Sequence, residues 1–215
     1  QQVFKYHDGS TGWKKVSAEI AILVSVSGNI LAGMTSTLTL TGTGFLSSNV
    51  TVTFTFGGNS YSVSTTASSD TTISVSVPSS VYSNVSSGAS VDIKVTNTDG
   101  SESSTISKSV NSLPTGGTIT TSGSYRIHKF TSSGTFSASF SLSNVEYLIV
   151  AGGGGGGTDR AGGGGAGGML TGTFSSVSSG NYSVNVGGGG GYGPNDSTDG
   201  SQGGNSSING QTAIG

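Results

Sequence analysis

Runs of consecutive glycine are the feature that most constrains how this chain can fold. The chain has 215 residues and 39 glycines, and 25 of these glycines lie in residues 151–215. Glycine has no side chain to bury, and it loses more conformational entropy on folding than any other residue. An ordinary hydrophobic core is therefore excluded for residues 151–215. We expect a domain boundary near Ala151, after which the chain packs in a different way or is disordered.

Outside the glycine runs, apolar and polar residues alternate with a period of two. Residues 50–56 read Val-Thr-Val-Thr-Phe-Thr-Phe, and residues 36–42, 73–77 and 91–95 repeat the alternation. This pattern is typical of half-buried antiparallel strands. Turn sequences such as Asn97-Thr98-Asp99-Gly100 separate the strands, and good helix formers are scarce. We therefore predict an all-β chain whose short strands form a β-sandwich.

Residues 1–17 form a small module of their own. The dipeptide Asp8-Gly9 between apolar residues predicts a hairpin, and a lone hairpin is only marginally stable in water. The hairpin is either a cap with solvated lysines or an assembly contact that anchors the chain to a larger particle. It resembles short aromatic hairpins near the starts of phage tail and fibre proteins. Its candidate anchoring residues are Phe4, Tyr6 and Trp13.

Two motifs stand out within residues 18–112. Gly42-Thr43-Gly44-Phe45 follows an apolar strand, and Asp99-Gly100 follows the alternating residues 91–97. On these motifs, residues 18–112 resemble an IPT/TIG immunoglobulin-like domain. The resemblance implies an Ig-like β-sandwich in which the Phe45 ring packs inward beside the glycine turn. IPT/TIG domains are spacers and binding modules, so this fold assigns no function by itself.

Residues 113–215 form the third module. From about residue 116 to the end, it closely resembles the glycine-rich domain of phage tail fibres, phage adhesins and related surface proteins. Strand-like segments at 125–131 and 145–150, the glycine runs, and Gly203-Gly204-Asn205-Ser206-Ser207 carry this resemblance. In that family further glycine runs follow, so we expect the natural chain to continue past Gly215. Because the sequence starts at Gln1 and not at Met, we expect either a processed product or a fragment of a longer chain.

The resemblance implies that the glycine runs are polyglycine helices packed side by side. Residues 152–157, 162–168 and 187–191 would be helices of a backbone core, because only glycine lets polyproline-II-type helices approach so closely. The alternative is a flexible Gly/Ser linker, although linkers do not carry apolar strands such as 145–150 and 182–186. Valine at Gly154, Gly165 and Gly189 together should therefore unfold residues 116–215 or abolish assembly.

Two interruptions of the glycine runs are expected to be exposed loops, at residues 158–161 and 192–199. Their side chains can stack on sugars or hydrogen-bond to them, although plain surface loops are an equally good interpretation. The candidate receptor-contact residues are Thr158, Asp159, Arg160, Tyr192, Asn195, Asp196 and Asp199.

Motifs for catalysis or cofactor binding are weak or missing. The G-x-G-x-x-G match within residues 152–157 is automatic in an all-glycine run, and no helical pattern or suitably spaced acidic residue follows it. The chain has no cysteine, its two histidines lie in different modules, and G-x-S-x-G is missing. Residues 195–199 lack the spacing of an EF-hand loop. We therefore expect no enzyme activity, no catalytic residues, no cofactor and no metal.

Charge and hydropathy exclude two further classes of partner. The formal net charge is −2, from 8 basic and 10 acidic residues, whereas a nucleic-acid-binding protein needs a basic surface. No apolar run reaches the length of a membrane span. We therefore expect neither nucleic-acid binding nor membrane insertion.

Together these features lead us to expect a phage virion protein, a tail fibre or adhesin that attaches to the host cell. Its expected partners are other virion proteins, copies of itself (a trimer, by family resemblance), and a host surface glycan or outer-membrane protein. The alternatives are a head or tail decoration protein or structural fibre without receptor binding, and a bacterial secreted surface adhesin.

Overall fold

The computed structural model describes residues 4–7, 13–16, 20–46, 49–158, 162–194 and 198–215, with the backbone alone in the first two ranges. Strands dominate these residues, among which there is a single turn of α-helix. The prediction of an all-β chain is confirmed. The chain divides into two compact units, Gln1–Leu113 and Pro114–Gly215. In the described part, no helix is long and apolar enough to span a membrane.

The first unit begins with an antiparallel hairpin of β1 (Phe4–His7) and β2 (Trp13–Val16). Phe4 lies opposite Val16, and His7 lies opposite Trp13. The predicted hairpin is therefore present in the backbone. The side chains of Phe4, Tyr6 and Trp13 lie outside the described part of the structure, so their anchoring role stays a prediction.

The rest of the first unit is a curled eight-stranded sheet in the order β3-β5-β8-β7-β6-β9-β10-β4. Its strands are β3 (Ile22–Ser27), β4 (Ile30–Leu31), β5 (Thr37–Thr43), β6 (Asn49–Phe56), β7 (Asn59–Ser69), β8 (Thr72–Ser76), β9 (Ser90–Thr96) and β10 (Ile106–Asn111). The long strand β7 pairs with β6 along residues 59–66, and it pairs with β8 at Ala67 and Ser69. The sheet therefore closes over its own core as a β-sandwich. A short helix, α1 (Ser79–Tyr82), follows β8; four residues are too few to show a helical period in the sequence.

The core of the sandwich follows from the period-two alternation. In β6, Val50, Val52 and Phe54 are buried, because successive side chains of a strand point to opposite faces. Phe45 is 1% exposed and belongs to the same core cluster. A Cβ at Gly42 would meet the Phe45 ring, so this position needs glycine. The prediction that Phe45 packs inward is confirmed.

Asn97 ties two loops of the sandwich together from a buried position. Its Oδ1 accepts the backbone N–H of Leu46 at 3.2 Å, and its Nδ2 donates to the carbonyl of Gly44 at 2.8 Å and to the Ser101 hydroxyl at 3.0 Å. The segment that holds Phe45 is thus fastened to the turn after β9. This contact gives a physical role to the Asn that ends the pattern at residues 91–97.

The second unit is built from three small sheets. β11 (Thr118–Ser122) pairs with β12 (Tyr125–Lys129), and β14 (Leu142–Val150) pairs with β15 (Met169–Val177). The third sheet has the order β13 (Gly134–Ala138), β16 (Gly180–Asn185), β17 (Ser206–Ile208) and β18 (Gln211–Ala213). Asn209 and Gly210 join β17 to β18 with φ values of 48° and 78°, as a tight two-residue hairpin turn requires.

Two small apolar clusters hold these sheets together. One contains Phe136, Ala138 and Val184, and the other contains Ile149, Ala151 and Ala213. In the second cluster the Tyr147 ring lies over Gly172 and packs against Phe174, with the ring centroids 4.6 Å apart. These clusters are much smaller than the core of the sandwich, so side-chain burial alone does not account for the order of this unit.

Candidate functional site: the glycine bundle and its loop end

Four extended segments continue the strands of the second unit, and we call them together the glycine bundle. Residues 151–157 follow β14, residues 162–168 precede β15, residues 187–193 follow β16, and residues 200–204 precede β17. Three of these segments contain the predicted glycine helices. The fourth, residues 200–204, was not predicted, because Ser201 and Gln202 interrupt its glycines.

Residues 151–157 and 162–168 run antiparallel and bond with a regular step. The N–H groups of Ala151, Gly154 and Gly157 donate to the carbonyls of Gly168, Gly165 and Gly162 at 2.9, 2.9 and 3.1 Å. Both sets of residues advance by three. Three residues per turn is the period of a polyproline-II-type helix, which bonds to its neighbours and has no internal hydrogen bonds.

Residues 187–193 lie parallel to residues 151–157. The N–H of Gly190 donates to Gly153 at 2.8 Å, and the N–H of Gly193 donates to Gly156 at 3.0 Å. The residue numbers of donors and acceptors rise together, again in steps of three, so the two segments point in the same direction.

Residues 200–204 complete the bundle by running antiparallel to two of the other segments. Gly152 and Gly155 donate to Gly204 and Ser201, both at 2.9 Å. In turn, the N–H of Gly204 donates to Gly188 at 2.8 Å. Residues 151–157 are therefore bonded to all three other segments. The prediction of ordered, packed glycine helices is confirmed, and the flexible-linker alternative is wrong.

The bundle uses glycine for close approach and not for unusual dihedral angles. Among its described glycines, none has a positive φ. At every third residue, an added Cβ would collide with a carbonyl of a neighbouring segment or, at Gly193, with the carbonyl of Thr198. These inward positions are Gly152 and Gly155, Gly164 and Gly167, Gly187, Gly190 and Gly193, and Gly200 and Gly203. Only a residue without a Cβ fits there.

Gly154, Gly165 and Gly189, at which valine is predicted to disrupt the packing, are not inward positions. A Cβ at Gly154 would have its nearest contact at 3.7 Å, a Cβ at Gly189 would also have its nearest contact at 3.7 Å, and a Cβ at Gly165 would meet nothing within 4 Å. These positions have room for a small side chain. The expectation that changing them breaks the bundle is therefore corrected in favour of the inward positions.

Side chains for which the sequence predicts no such role complete the hydrogen bonding of the bundle. The Ser201 hydroxyl accepts the N–H of Gly191 at 2.7 Å, and the Ser206 hydroxyl accepts the N–H of Gly187 at 2.9 Å. Asn205 Oδ1 accepts the N–H of Gly215 at 3.1 Å. The signal for these contacts was present, since Asn205 and Ser206 directly follow a glycine pair and offer acceptors for amides that lack a strand partner.

The hydrogen bonds bring the bases of the two predicted loops to one end of the bundle. Gly157 is bonded to Gly162 across residues 158–161. Gly193 is bonded to Gly156, and the carbonyl of Thr198 lies where a Cβ on residue 193 would be. Because residues 151–157 and 187–193 are parallel, both loops leave from the same end, which we call the loop end. The strands lie at the opposite end of the bundle.

The structure describes three of the seven candidate receptor-contact residues. Tyr192 is 76% exposed, Asp199 is exposed, and Thr158 stands where the first loop begins. The other four lie outside the described residues: Asp159, Arg160, Asn195 and Asp196.

The predicted start of the second loop needs a correction. The sequence predicts a loop over residues 192–199, but Gly193 is buried and bonded to Gly156. The helix therefore continues through Gly193, and the loop begins at Pro194. As a result, the Tyr192 ring projects from the ordered bundle and not from the loop itself.

The chemistry available at the loop end is that of recognition. An exposed phenol ring offers a face for stacking and a hydroxyl for hydrogen bonding. Within the described ranges, no group of three or more His, Cys, Asp or Glu residues is placed to hold a metal ion.

Part of the second unit matches a known protein family. No curated protein matches the chain. Residues 130–215 match the family model of the glycine-rich domain, and this range includes β13 to β18, the whole glycine bundle and both loops. The chain therefore contains a glycine-rich domain at residues 130–215.

Proposed function

We propose that this protein is a non-catalytic virion protein, a phage tail fibre or adhesin, that attaches to the host cell surface through the loop end. One observation carries the proposal: the parallel alignment of residues 151–157 and 187–193 gathers both loops at the end of the bundle opposite its strands. Such an arrangement presents two loops on a rigid stem.

The rigidity of the stem supports a role in binding. The loops are anchored at Gly157, Gly162 and Gly193, whose backbone groups are hydrogen-bonded. A binding loop that is held at its base loses less conformational entropy when it meets its ligand. The exposed Tyr192 supplies an aromatic surface beside the loops. We propose a surface glycan as the ligand, with an outer-membrane protein as the alternative receptor.

The first unit has a different part in this proposal. The sandwich acts as a spacer, as the IPT/TIG resemblance implies, and the β1–β2 hairpin contacts other virion proteins. The protein works as a homo-oligomer on an extracellular particle. A second candidate is a decoration protein or structural fibre that binds no receptor. The paired hairpin favours it equally, since its four paired positions run from Phe4/Val16 to His7/Trp13. A density map of the parent particle distinguishes the two by the position of the hairpin and of the loop end.

An array of bacterial surface polysaccharides tests the receptor function directly. The full chain should bind a subset of the spots, and Tyr192→Ala should reduce that binding at least about tenfold, the equivalent of about 1.4 kcal/mol. Tyr125→Ala is the matched control, since Tyr125 is 58% exposed on β12 and not at the loop end. Equal loss of binding in both variants would contradict binding through the loop end, and no binding by the unaltered chain would contradict a glycan as the ligand.

A further inference from the structure

The segment 162–168 forms an open edge of the glycine bundle. Its residues 162–166 are exposed, whereas residues 151–157 are buried or half-buried. The carbonyls of Gly162 and Gly165 accept bonds from the central segment, but the N–H groups of residues 163–167 donate to no backbone oxygen of the described chain. An unpaired row of backbone donors is a template for another chain, as at the edge of a β-sheet.

Three glycines on this edge, at positions 162, 163 and 165, are not explained by the folding of the chain itself. A Cβ at Gly162 or Gly165 would meet nothing within 4 Å, and neither residue has a positive φ. They are three residues apart and so share one face of a helix with three residues per turn. The face that contains Gly163 differs, because three residues further along it carries the Cβ of Ala166. On the same face, Gly168 is covered by the chain itself, since its N–H donates to the carbonyl of Ile214 at 2.8 Å and a Cβ there would collide with that carbonyl. Glycine at 162 and 165 thus keeps the rest of this face clear for a close neighbour.

A second, independent observation lies beside this edge. Leu148, Val150 and Met169 are 64%, 54% and 70% exposed on the β14–β15 pair. Val150 is the cross-strand partner of Met169, which directly follows Gly168. Leu148 and Val150 share one face of β14, opposite the buried Ile149. Large apolar side chains that are grouped and exposed mark a protein contact.

The two features together specify what can cover them. Only a backbone without a Cβ can approach Gly162 and Gly165 closely enough to bond to the free amides, and only an apolar surface suits the β14–β15 face. We propose that the partner is a second copy of this chain, packed in parallel about a two-fold axis along residues 162–167, which makes a dimer in place of the trimer that the family resemblance implies. In this arrangement, glycine edge meets glycine edge, and apolar face meets apolar face.

Parallel packing of this kind already occurs within the molecule. Residues 187–193 bond to residues 151–157 in the same direction, through Gly190 and Gly193. The edge 162–168 and the three apolar residues carry no ionisable side chain, so two copies meet without repulsion between like charges. The inference does not depend on the proposed receptor function. It adds that both loop ends of the dimer point the same way, which permits bivalent contact with one surface.

Analytical ultracentrifugation of the full chain over a wide concentration range tests the dimer. The unaltered chain should pass from the mass of one chain to that of two as its concentration rises. The double variant Gly162→Val, Gly165→Val should weaken the association at least about a hundredfold, while amide protection elsewhere in the bundle stays unchanged, because both positions are open in the single chain. Gly163→Val is the matched control and should associate as the unaltered chain does.

Hydrogen exchange supplies a second readout. In the dimer, amides of residues 163–167 should exchange more slowly as concentration rises, and in the double variant they should not. A single-chain mass at all concentrations overturns the proposal, as does a three-chain mass or equal association of the double variant and the unaltered chain. Loss of association in Gly163→Val to the same extent also overturns it.

Discussion

The carbonyl oxygen of Gly191 fills the place that a Cβ on residue 155 would need, so these two residues lie side by side only because position 155 is glycine. From the same position, Gly155 donates its N–H to Ser201 at 2.9 Å. One residue thus contacts two neighbouring segments of the bundle through backbone atoms alone. The cohesion of the glycine bundle comes from such contacts, since side chains contribute little burial there.

Gly155→Ala should destabilise the bundle by about 1–3 kcal/mol, because the added methyl group forces the backbone of a packed interior to shift. Gly189→Ala is the control, since its Cβ would have an ordinary contact at 3.7 Å and should change stability by at most about 0.5 kcal/mol. Native-state hydrogen exchange of peptides from residues 142–157 measures both. Equal effects of the two changes would show that Gly155 is not an inward residue of the bundle.

The phase of the bundle could not be read from the sequence. A run such as residues 152–157 consists of one residue type, so it shows that helices pack closely but not which third of the residues points inward. For this reason the sequence alone suggests Gly154 as a position where valine disrupts the packing, although its neighbour Gly155 is the inward residue. Phase depends on the hydrogen bonds between segments that are distant in the chain, such as Gly190 to Gly153.

The sequence was a better guide where the side chains themselves alternate. The strand at residues 50–56 and the inward position of Phe45 follow from period two and from a glycine turn, both of which are local signals. Only part of the loop end can be predicted from the sequence. Residues 158–161 and the second loop were recognised as interruptions, but their convergence depends on the parallel pairing of Gly193 with Gly156, which no local pattern encodes.

Phe45→Ala should lower the free energy of unfolding of the first unit by about 3–5 kcal/mol, the cost of removing a buried aromatic ring. Phe45 is 1% exposed within the core cluster. Urea denaturation of the full chain measures the loss. Met34→Ala is the control, because Met34 is 44% exposed and its truncation should have a much smaller effect. A loss below about 1 kcal/mol for Phe45→Ala would show that the ring is not a core residue.

Asn97→Ala should destabilise the first unit by about 1–3 kcal/mol, since it leaves the N–H of Leu46 and the carbonyl of Gly44 without their partner in a partly buried site. Asn84→Ala is a suitable comparison, because the Asn84 side chain also bonds to a backbone carbonyl, that of Ser80, but in an exposed position. Its effect should stay within about 0.5 kcal/mol. Similar losses in both variants, measured by urea denaturation, would refute the proposed clamp.

The surface pair Lys94–Glu102 predicts a particular pH dependence. The hydrogen bond from Lys94, at 2.8 Å, and its positive charge lower the pKa of Glu102. Folding therefore favours the ionised carboxylate, and its stabilising contribution is present above the unfolded pKa and lost as the pH falls through the folded one. In Lys94→Gln, the Glu102 pKa should rise toward its ordinary value in a carboxyl NMR titration. An unchanged titration in that variant would exclude Lys94 as the cause.

Hydrogen exchange at single glycines should show the bonding pattern of the bundle directly. With glycine labelled by ¹⁵N, the amides of Gly152, Gly154, Gly155 and Gly190 should be protected, because each donates to a carbonyl of another segment. An opening free energy of about 3 kcal/mol slows exchange roughly a hundredfold.

The same experiment contains its own control in residues 163–165, whose N–H groups donate to no carbonyl of the described chain. At low concentration, where single chains prevail, these amides should exchange near the random-coil rate. The contrast matters because a flexible linker has no protected glycines and a uniformly collapsed run has no free ones. Only a bundle with a three-residue period and an open edge gives protected and free amides side by side. Exchange at the random-coil rate throughout residues 152–157 would remove the rigid stem on which the proposed attachment function depends.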